Sequence, residues 1–278
     1  MRGGIVVGTD GSASSMAAVE WAAADARRRR LSLRIVHVCE QWSHGMDTSK
    51  YCAGALETAA GKARDVSRDV QVSTEMSAGN VVESLIGESV SAESLVLGSR
   101  GMGGFSGLLL GSVGLAVAGH AVGPVVIVRG LVARHDRVVV GDDGSEGSQL
   151  AMAYALQQAR ARHARLHVVY AWRTPVFSPS WPAYSPLLED SFHEEARAAR
   201  ARVVPWREAN PDVVIMDEQV RDHPVAALIE AAATADLVVV GSRGLGGFSS
   251  AVLGSVSHGV LHHVACPVAV VRPRGEPE

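Results

Sequence analysis

The chain is poor in the residue types that mark several large protein classes. Two of its 278 residues are lysine and its net charge is −3, so it lacks the basic surface of a nucleic-acid binding protein. Its three cysteines, Cys39, Cys52 and Cys266, are too few and too scattered for a disulfide framework, which indicates a reducing compartment. We therefore expect a cytoplasmic protein that does not have nucleic acid as a partner.

A membrane span is also not expected. The apolar strand pattern that begins at Ile5 follows no charged leader with a cleavage site. Residues 108–128 are apolar, but they include four glycines and Pro124, and the matching stretch of the second half carries His258, His262 and His263, which are costly in lipid. We predict that each stretch is a buried helix followed by a strand.

The sequence contains one unit twice. Residues 5–12 return as residues 138–145, and residues 98–113 return as residues 241–256 with twelve of sixteen positions identical. The apolar content of 47% is ample for two cores, and 278 residues suit two domains. The charged stretch 129–137 separates the copies, so we predict domains over residues 1–130 and 136–273.

Each copy alternates short β-branched runs with helical patterns. The runs are almost continuously apolar, which is typical of strands that helices cover on both faces. This predicts two tandem doubly wound α/β domains, each with a five-stranded parallel sheet. The first helix is expected over residues 16–30, ending in the run Arg27 to Arg30, and His37 is expected to be a satisfied core histidine. Predicted strands cover residues 5–7, 33–38, 70–76, 95–97 and 125–128, and then 138–140, 166–170, 213–216, 237–240 and 268–271.

Two glycine-containing loops follow strands in each copy. Gly8 to Ser12 follows the first strand and Gly98 to Gly101 follows the fourth; nine residues later, Gly111-Ser112 opens a helix. Glycine lets backbone N–H groups approach a phosphate and adopts positive φ, and a helix amino terminus favours an anion. Such loops meet where the strand order reverses. The twin residues are Gly141 to Ser145, Gly241 to Gly244 and Gly254-Ser255.

General nucleotide motifs do not account for these loops. A Walker A loop needs Gly-Lys before Ser or Thr, and neither lysine is near them; the dinucleotide fingerprint G-x-G-x-x-G is not met either. The spacing Gly-x-x-Gly, nine residues, Gly-Ser instead resembles the ATP signature of the universal stress protein family. The Val-Gly-x-Asp-Gly-Ser openings and the closing Gly-Pro-Val and Cys-Pro-Val also resemble that family, along nearly the whole chain.

The resemblance implies an adenine-nucleotide α-hydrolase-like fold and two ATP molecules per chain, with Mg²⁺ held by the phosphates. It places Asp10 and its twin at the nucleoside, Gly98 near the ribose, and the backbone of Val38 and its twin at adenine. Gly101, Gly111 and Ser112 would surround the phosphates. The full set of implied binding residues is Gly8, Asp10, Val38, Gly98, Gly101, Gly111, Ser112, Gly141, Asp143, Ala171, Gly241, Gly244, Gly254 and Ser255.

Other interpretations of these residues stay open. Asp-Gly-Ser after a strand also forms a plain turn with a helix cap, and Ser112 and Ser255 suit N-caps. Arg100 and Arg243 suit either phosphate or solvent. His258, His262 and Cys266 repeat every four residues, but the first copy has no matching ligands, so we predict no metal site. Residues 172–186, rich in proline and aromatics, suit a packing loop, a lid or an interface.

Three functions remain at this level. The resemblance implies a non-catalytic, pseudo-dimeric ATP-binding regulator in stress or dormancy, in which the final strands 125–128 and 268–271 pair. A slow ATPase or nucleotidyl transferase is the alternative, against which stands the absence of a lysine or nucleophile–base pair near the loops. The third is a scaffold without ligand. A homodimer of chains and an unidentified protein partner stay open.

Overall fold

The computed structural model describes residues 3–39, 48–102, 110–130, 134–172, 185–245 and 253–274. They belong to two compact units. Unit 1 comprises residues 1–133 and 261–278, and unit 2 comprises residues 134–260. The closing strand of the second sequence copy is therefore part of unit 1.

Unit 1 alternates strands and helices in the predicted order. The elements are β1 (Ile5–Gly8), α1 (Ala13–Arg29), β2 (Leu33–Cys39), α2 (Thr48–Val66), β3 (Val72–Ala78), α3 (Val81–Ser91), β4 (Ser94–Gly98), α4 (Ser112–His120), β5 (Pro124–Val128) and β10 (Val268–Val271). The order of the strands in the sheet is β3-β2-β1-β4-β5-β10. The first five are parallel, and β10 is antiparallel to β5.

The core of unit 1 lies in its central strands. Every residue of β1 and β5 is buried, because helices pack on the sheet and leave no polar face. Ile5, Leu95 and Ile127 are almost completely removed from water. Helix α1 contacts α2, and α3 contacts α4. This burial explains why the strands appear in the sequence as continuous apolar runs.

Unit 2 repeats the design. The elements are β6 (Arg137–Gly141), α5 (Glu146–Arg162), β7 (Arg165–Ala171), α6 (Ser185–Ala209), β8 (Ile215–Val220), α7 (Pro224–Ala232), β9 (Leu237–Gly241) and α8 (Ser255–His263). The strands lie in the order β9-β6-β7-β8 and are parallel, with β6 between β7 and β9 as β1 is between β2 and β4. Val138, Val139 and Val140 of β6 are fully buried.

Capping side chains fix the start of the first helix in each copy. Ser12 is the N-cap of α1, and its side chain accepts a hydrogen bond from the Ser15 amide; Ser145 does the same for Ser148 in α5. Both helices end on a residue in the left-handed conformation, Arg30 or His163. The predicted arginine run does end α1, where cations suit the negative pole of the helix dipole.

The predicted pairing of the final strands is confirmed. Val270 of β10 lies opposite Val125 of β5, and Ala269 lies opposite Val126. The four residues of β10 and the five of β5 are all buried. Pairing removes an apolar strand edge that would otherwise promote aggregation.

Some strand boundaries differ from the predicted ones. Strand β3 begins at Val72 rather than Val70, and β8 begins at Ile215 rather than Val213. The two valines lie in turns, where their amides bond to the carbonyls of Ser67 and Asn210. Periodicity alone does not separate an apolar residue in a turn beside a strand from an apolar residue of the strand itself.

The apolar stretch of residues 108–128 forms a helix followed by a strand, as predicted, in the part that the structure describes. Residues 112–120 form α4, and residues 124–128 form β5. Over the described ranges, the chain has no helix with the length and apolarity that crossing a bilayer requires.

Gly98 supplies a direct test of this packing. A Cβ atom at Gly98 would lie 2.7 Å from the carbonyl carbon of Ser14 and from the amide nitrogen of Ser15, both backbone atoms of α1. We expect Gly98→Ala to lower the free energy of unfolding by roughly 1–3 kcal/mol, because β4 and α1 must move apart. Chemical denaturation followed by circular dichroism measures the change.

Gly87→Ala is the matched control. Gly87 lies in α3, and a Cβ atom added there would have nothing within 4 Å, so alanine should stabilise the helix by about 0.5–1 kcal/mol. Equal effects of the two substitutions would contradict the close contact at Gly98.

Candidate functional site

The loops singled out by the sequence lie together at one edge of each sheet. Strand β1 pairs with β2 on one side and with β4 on the other, so the strand order reverses at β1. The loops after β1 and β4 therefore leave the carboxyl ends of neighbouring parallel strands. In sheets of this kind that edge is where ligands bind.

The carboxylate of Asp10 joins the two loops of unit 1. Its Oδ1 accepts a hydrogen bond from the Ser12 amide at 3.0 Å, and its Oδ2 accepts one from the Met102 amide at 2.8 Å. Burial raises the pKa of Asp10, but hydrogen bonds from Ser12, Met102 and Ser15 outweigh it and leave the pKa below its usual value. Asp10 is therefore ionised at neutral pH.

Unit 2 contains the same arrangement. Asp143 Oδ1 accepts hydrogen bonds from the amide and the hydroxyl of Ser145, at 3.0 and 2.6 Å. Its Oδ2 accepts a bond from the Leu245 amide at 3.0 Å. Asp10 and Asp143 thus have equivalent partners 133 positions apart (143 minus 10) in the sequence. Each carboxylate organises its own pair of loops.

The positions of Asp10 and Asp143 explain why residues 101 and 244 are glycine. A Cβ at Gly101 would lie 2.6 Å from Asp10 Oδ2, and one at Gly244 would lie still closer to the carboxylate of Asp143. Gly241, like Gly98, faces backbone atoms of the first helix of its copy. Glycine is required at these positions because neighbouring groups occupy the space that a side chain would need.

The expected positive φ is wrong for most loop glycines. Gly111 has φ −78°, and among the described glycines in the loops after β1, β4, β6 and β9 the left-handed ones are Gly11 and Gly144, at φ +85° and +80°. Those two lie in the turns that place Asp10 and Asp143. Gly98, Gly101, Gly241 and Gly244 are thus required for close approach rather than for backbone conformation.

Helix α4 points an uncapped amino terminus at the same edge. Gly111 is its N-cap and provides no side-chain hydrogen bond, while its own amide bonds to Ser99 O at 2.7 Å. The interpretation of Ser112 as an N-cap is therefore wrong: Ser112 is the first helical residue and is exposed. Ser255 likewise begins α8. The first-turn amides of such a helix suit an anion.

The backbone of Val38 also faces this edge. The Val36 carbonyl accepts a hydrogen bond from the Thr9 amide at 2.9 Å, so β2 presents the backbone groups of Val36 towards β1. With the two-residue period of a strand, Val38 points the same way, beyond the end of β1 at Gly8. In unit 2 the Asp142 amide donates a hydrogen bond to the Val169 carbonyl at 3.0 Å, so the backbone of Ala171, two residues further along β7, faces the same edge.

Tyr51 lies over the unit 1 site and was not found from the sequence. Its hydroxyl donates to Asp10 O at 3.1 Å and lies 3.1 Å from the position of a Cβ on Gly11. The side chain is half exposed. Because α2 has no identical anchor in the second copy, the repeat gave no signal for this residue.

Arg202 of α6 takes the corresponding place in unit 2. Its guanidinium lies 3.2 Å from the position of a Cβ on Gly144 and pairs with Asp142 Oδ2 at 2.9 Å. It also lies 5.4 Å from the ring centroid of Tyr170. Burial and a hydrogen bond to Glu195 raise the pKa of Tyr170 to about 12.

The two sites therefore share the aspartate and its loops but differ in the residue that precedes the aspartate. Asp142 is 4% exposed and accepts further bonds from the Gly144 amide and the Ser148 hydroxyl; the first copy has Thr9 at that position, bonded to the Ser15 hydroxyl. A comparison of the copies shows the change from threonine to aspartate, and it could have flagged Asp142. Arg202 lies on an unmatched helix and gives no such signal.

The expectations for the cysteines and for His37 need correction. Cys39 and Cys52 form a disulfide between β2 and α2, with Cα atoms 6.5 Å apart. His37 is buried as predicted, but among the described residues its Nδ1 has no hydrogen-bond partner, so there it is not a fully satisfied core histidine. Burial lowers its pKa, against the opposing effects of the Asp10 charge and a Thr9 backbone hydrogen bond.

Parts of the predicted site fall outside the described residues. They are residues 103–109 and 246–252 of the glycine loops and residues 173–184 of the proline-rich aromatic segment. Trp172, at the start of that segment, packs against Phe192 with ring centroids 5.6 Å apart.

The buried ion pair of unit 2 yields a prediction. Arg202→Gln leaves the Asp142 carboxylate buried without its cation, and we expect unfolding free energy to fall by roughly 2–3 kcal/mol, less than for a fully buried pair because Arg202 remains partly exposed. Adding Asp142→Thr, the residue of the first copy, should restore most of the loss because it removes the unpaired charge. Chemical denaturation measures both.

The exposed pair of Arg160 with Asp212 is the control. Arg160→Gln should change stability by about 0–1 kcal/mol. If the double variant is as unstable as Arg202→Gln alone, the charge of Asp142 is not the cause.

Comparison with known proteins supports one family for both copies. The family model of the universal stress protein family matches residues 1–129 and 135–272. A universal stress protein of Mycolicibacterium smegmatis is 36% identical, over 98% of this chain and 97% of its own length. One from Mycobacterium tuberculosis is 37% identical, over 99% and 96%.

A solved structure agrees on the fold. The crystal structure of a universal stress protein from Archaeoglobus fulgidus superposes with a TM-score of 0.75, covers 99% of this chain and 100% of its own, and is 22% identical. Since the family model covers both copies and the relatives match end to end, the chain belongs to the universal stress protein family and carries the family's unit twice.

Proposed function

We propose that the chain is an ATP-binding regulator whose two copies each bind one ATP. The observation that carries this proposal is the arrangement repeated at each strand reversal: an aspartate accepts hydrogen bonds from two loops beside the amino terminus of a helix. A scaffold without ligand would not need both copies of this arrangement to keep the same partners. ATP would stabilise one conformation, which a partner protein then binds.

The residues present suit ATP. The first-turn amides of α4 and α8 would bind phosphate oxygens, and the backbone of Val38 and Ala171 would face adenine. Asp10 and Asp143 have both carboxylate oxygens in loop bonds, so they would contact the nucleoside only through remaining lone pairs. Mg²⁺, when bound, would neutralise phosphate charge and be held by phosphates and water.

Substitutions at the amino termini of α4 and α8 test how many ATP molecules each chain binds. The nearest atom to a Cβ on Gly111 is 3.6 Å away, and on Gly254 it is 3.4 Å away, so both positions accept a side chain sterically. We expect calorimetry to give two ATP sites in nucleotide-free wild type. Gly111→Val and Gly254→Val should each leave one site, because the branched side chain covers the first-turn amides. The double variant should bind weakly.

Gly87→Val, at an exposed and open position of α3, is the control and should keep both sites. Asp10→Ala and Asp143→Ala should each weaken ATP binding in their own copy by roughly 1–3 kcal/mol. A wild-type stoichiometry near one would contradict the proposal for one copy, and unit 2 would be suspected because Arg202 lies over Gly144.

Turnover should be very slow or absent. Phosphoryl transfer requires positioned groups that neutralise charge at the γ-phosphate. Neither lysine of the sequence belongs to the loops, and in the part of the chain that the structure describes Lys62 pairs with Glu20 on the outer helices. We expect steady-state ATP hydrolysis well below about 1 per second. A faster rate that Asp10→Ala with Asp143→Ala abolishes would favour the ATPase alternative.

A further inference from the structure

A group of metal-ligand atoms lies beside the unit 1 site and has no role in the proposed nucleotide contacts. His37, Cys39 and Cys52 place one ligand atom each within 4.8 Å of the other two. His37 and Cys39 are two residues apart in β2, so their side chains share one face of the strand. Cys52 reaches the same point from α2.

His37 gives independent evidence that this point suits a ligand. The residue is 5% exposed, yet no group in the described part of the chain hydrogen-bonds its Nδ1. A buried polar atom without a partner costs free energy, and native structures rarely leave one. The Thr9 backbone already interacts with the ring. A hydrogen bond on one ring nitrogen, with the other nitrogen left for a metal, is the usual arrangement of a metal-ligating histidine.

We propose that the reduced chain binds a thiophilic divalent cation, with Zn²⁺ as the probe, through His37, Cys39 and Cys52. Two thiolates and one imidazole form a known three-ligand set for Zn²⁺, which leaves a fourth position for water. With Zn–S bonds of about 2.3 Å at tetrahedral angles, the sulfurs would stand about 3.8 Å apart. Breaking the disulfide supplies that separation.

The disulfide and the metal exclude each other because both use the same two sulfurs. A dithiol reductant opens the bond by exchange: it gains a disulfide, and Cys39 and Cys52 each gain one electron and one proton. Binding of Zn²⁺ then releases the two thiol protons. Oxidation by a disulfide-forming oxidant reverses the sequence and expels the cation. The site is thus a metal site under redox control.

Unit 2 does not contain this ligand set. By strand register, Tyr170 and Trp172 occupy the positions of His37 and Cys39. Each chain should therefore bind one cation in this manner. Metal binding can be measured with no nucleotide present, so it fails or succeeds independently of ATP binding.

The experiment compares the full chain in two redox states. We expect the reduced chain, freed of reductant without air, to bind one Zn²⁺ per chain in competition with a chromophoric chelator. The oxidised chain should bind none at that affinity, and it is a folded control that needs no substitution. Co²⁺ in place of Zn²⁺ should give thiolate-to-metal charge-transfer absorption. Surface histidines would bind metal equally in both states and would not give these bands.

Substitutions locate the site. Cys39→Ser, Cys52→Ser and His37→Gln should each weaken binding by more than the roughly ten- to hundred-fold that follows loss of an outer partner. Cys266→Ser is the matched control, since Cys266 is buried and outside the disulfide, and it should change nothing. Equal metal binding by reduced and oxidised chains, or unchanged binding by Cys39→Ser, would overturn the proposal.

Discussion

The hydrogen bond from the Met102 amide to Asp10 is the interaction on which the site depends. It joins residues 92 positions apart and holds the loop after β1 against the loop after β4. Asp143 and Leu245 form the same bond in the second copy. The bond requires Gly101 and Gly244 to lack side chains and places the loops next to an open helix terminus. Glycine at positions 101 and 244 therefore follows from this geometry before any ligand is considered.

The two copies share this frame but differ in what surrounds it. Unit 1 has a tyrosine over the turn and a disulfide beside it. Unit 2 has a buried aspartate neutralised by Arg202. Because the loops are alike and their surroundings differ, we infer that the two sites bind the same kind of ligand but respond to different conditions. Oxidation of Cys39 and Cys52 would affect the site of unit 1. In unit 2, the pair of Arg202 with Asp142 would determine the charge beside the site.

The sequence predicted what local pattern and repetition determine. The alternation of strands and helices, the helix opened by Gly111 and the pairing of β5 with β10 follow from apolar runs, glycine spacing and edge protection. Side-chain contacts between elements distant in the sequence were not predictable. The Cys39–Cys52 disulfide needs the position of α2 relative to β2, and Arg202 lies on a helix without a counterpart. The φ of Gly111 was misjudged because glycine is compatible with both negative and positive φ, so the residue type alone does not show which one it adopts.

Amide hydrogen exchange with and without ATP tests the central claim most directly, because it reports where binding occurs. The account predicts added protection at the amides of residues 112–114 and 255–257, and in the loops that end at Met102 and Leu245, with little change in outer strands β3 and β8. Protection confined to other segments, or none at saturating ATP, would contradict the assignment of these loops as the nucleotide site.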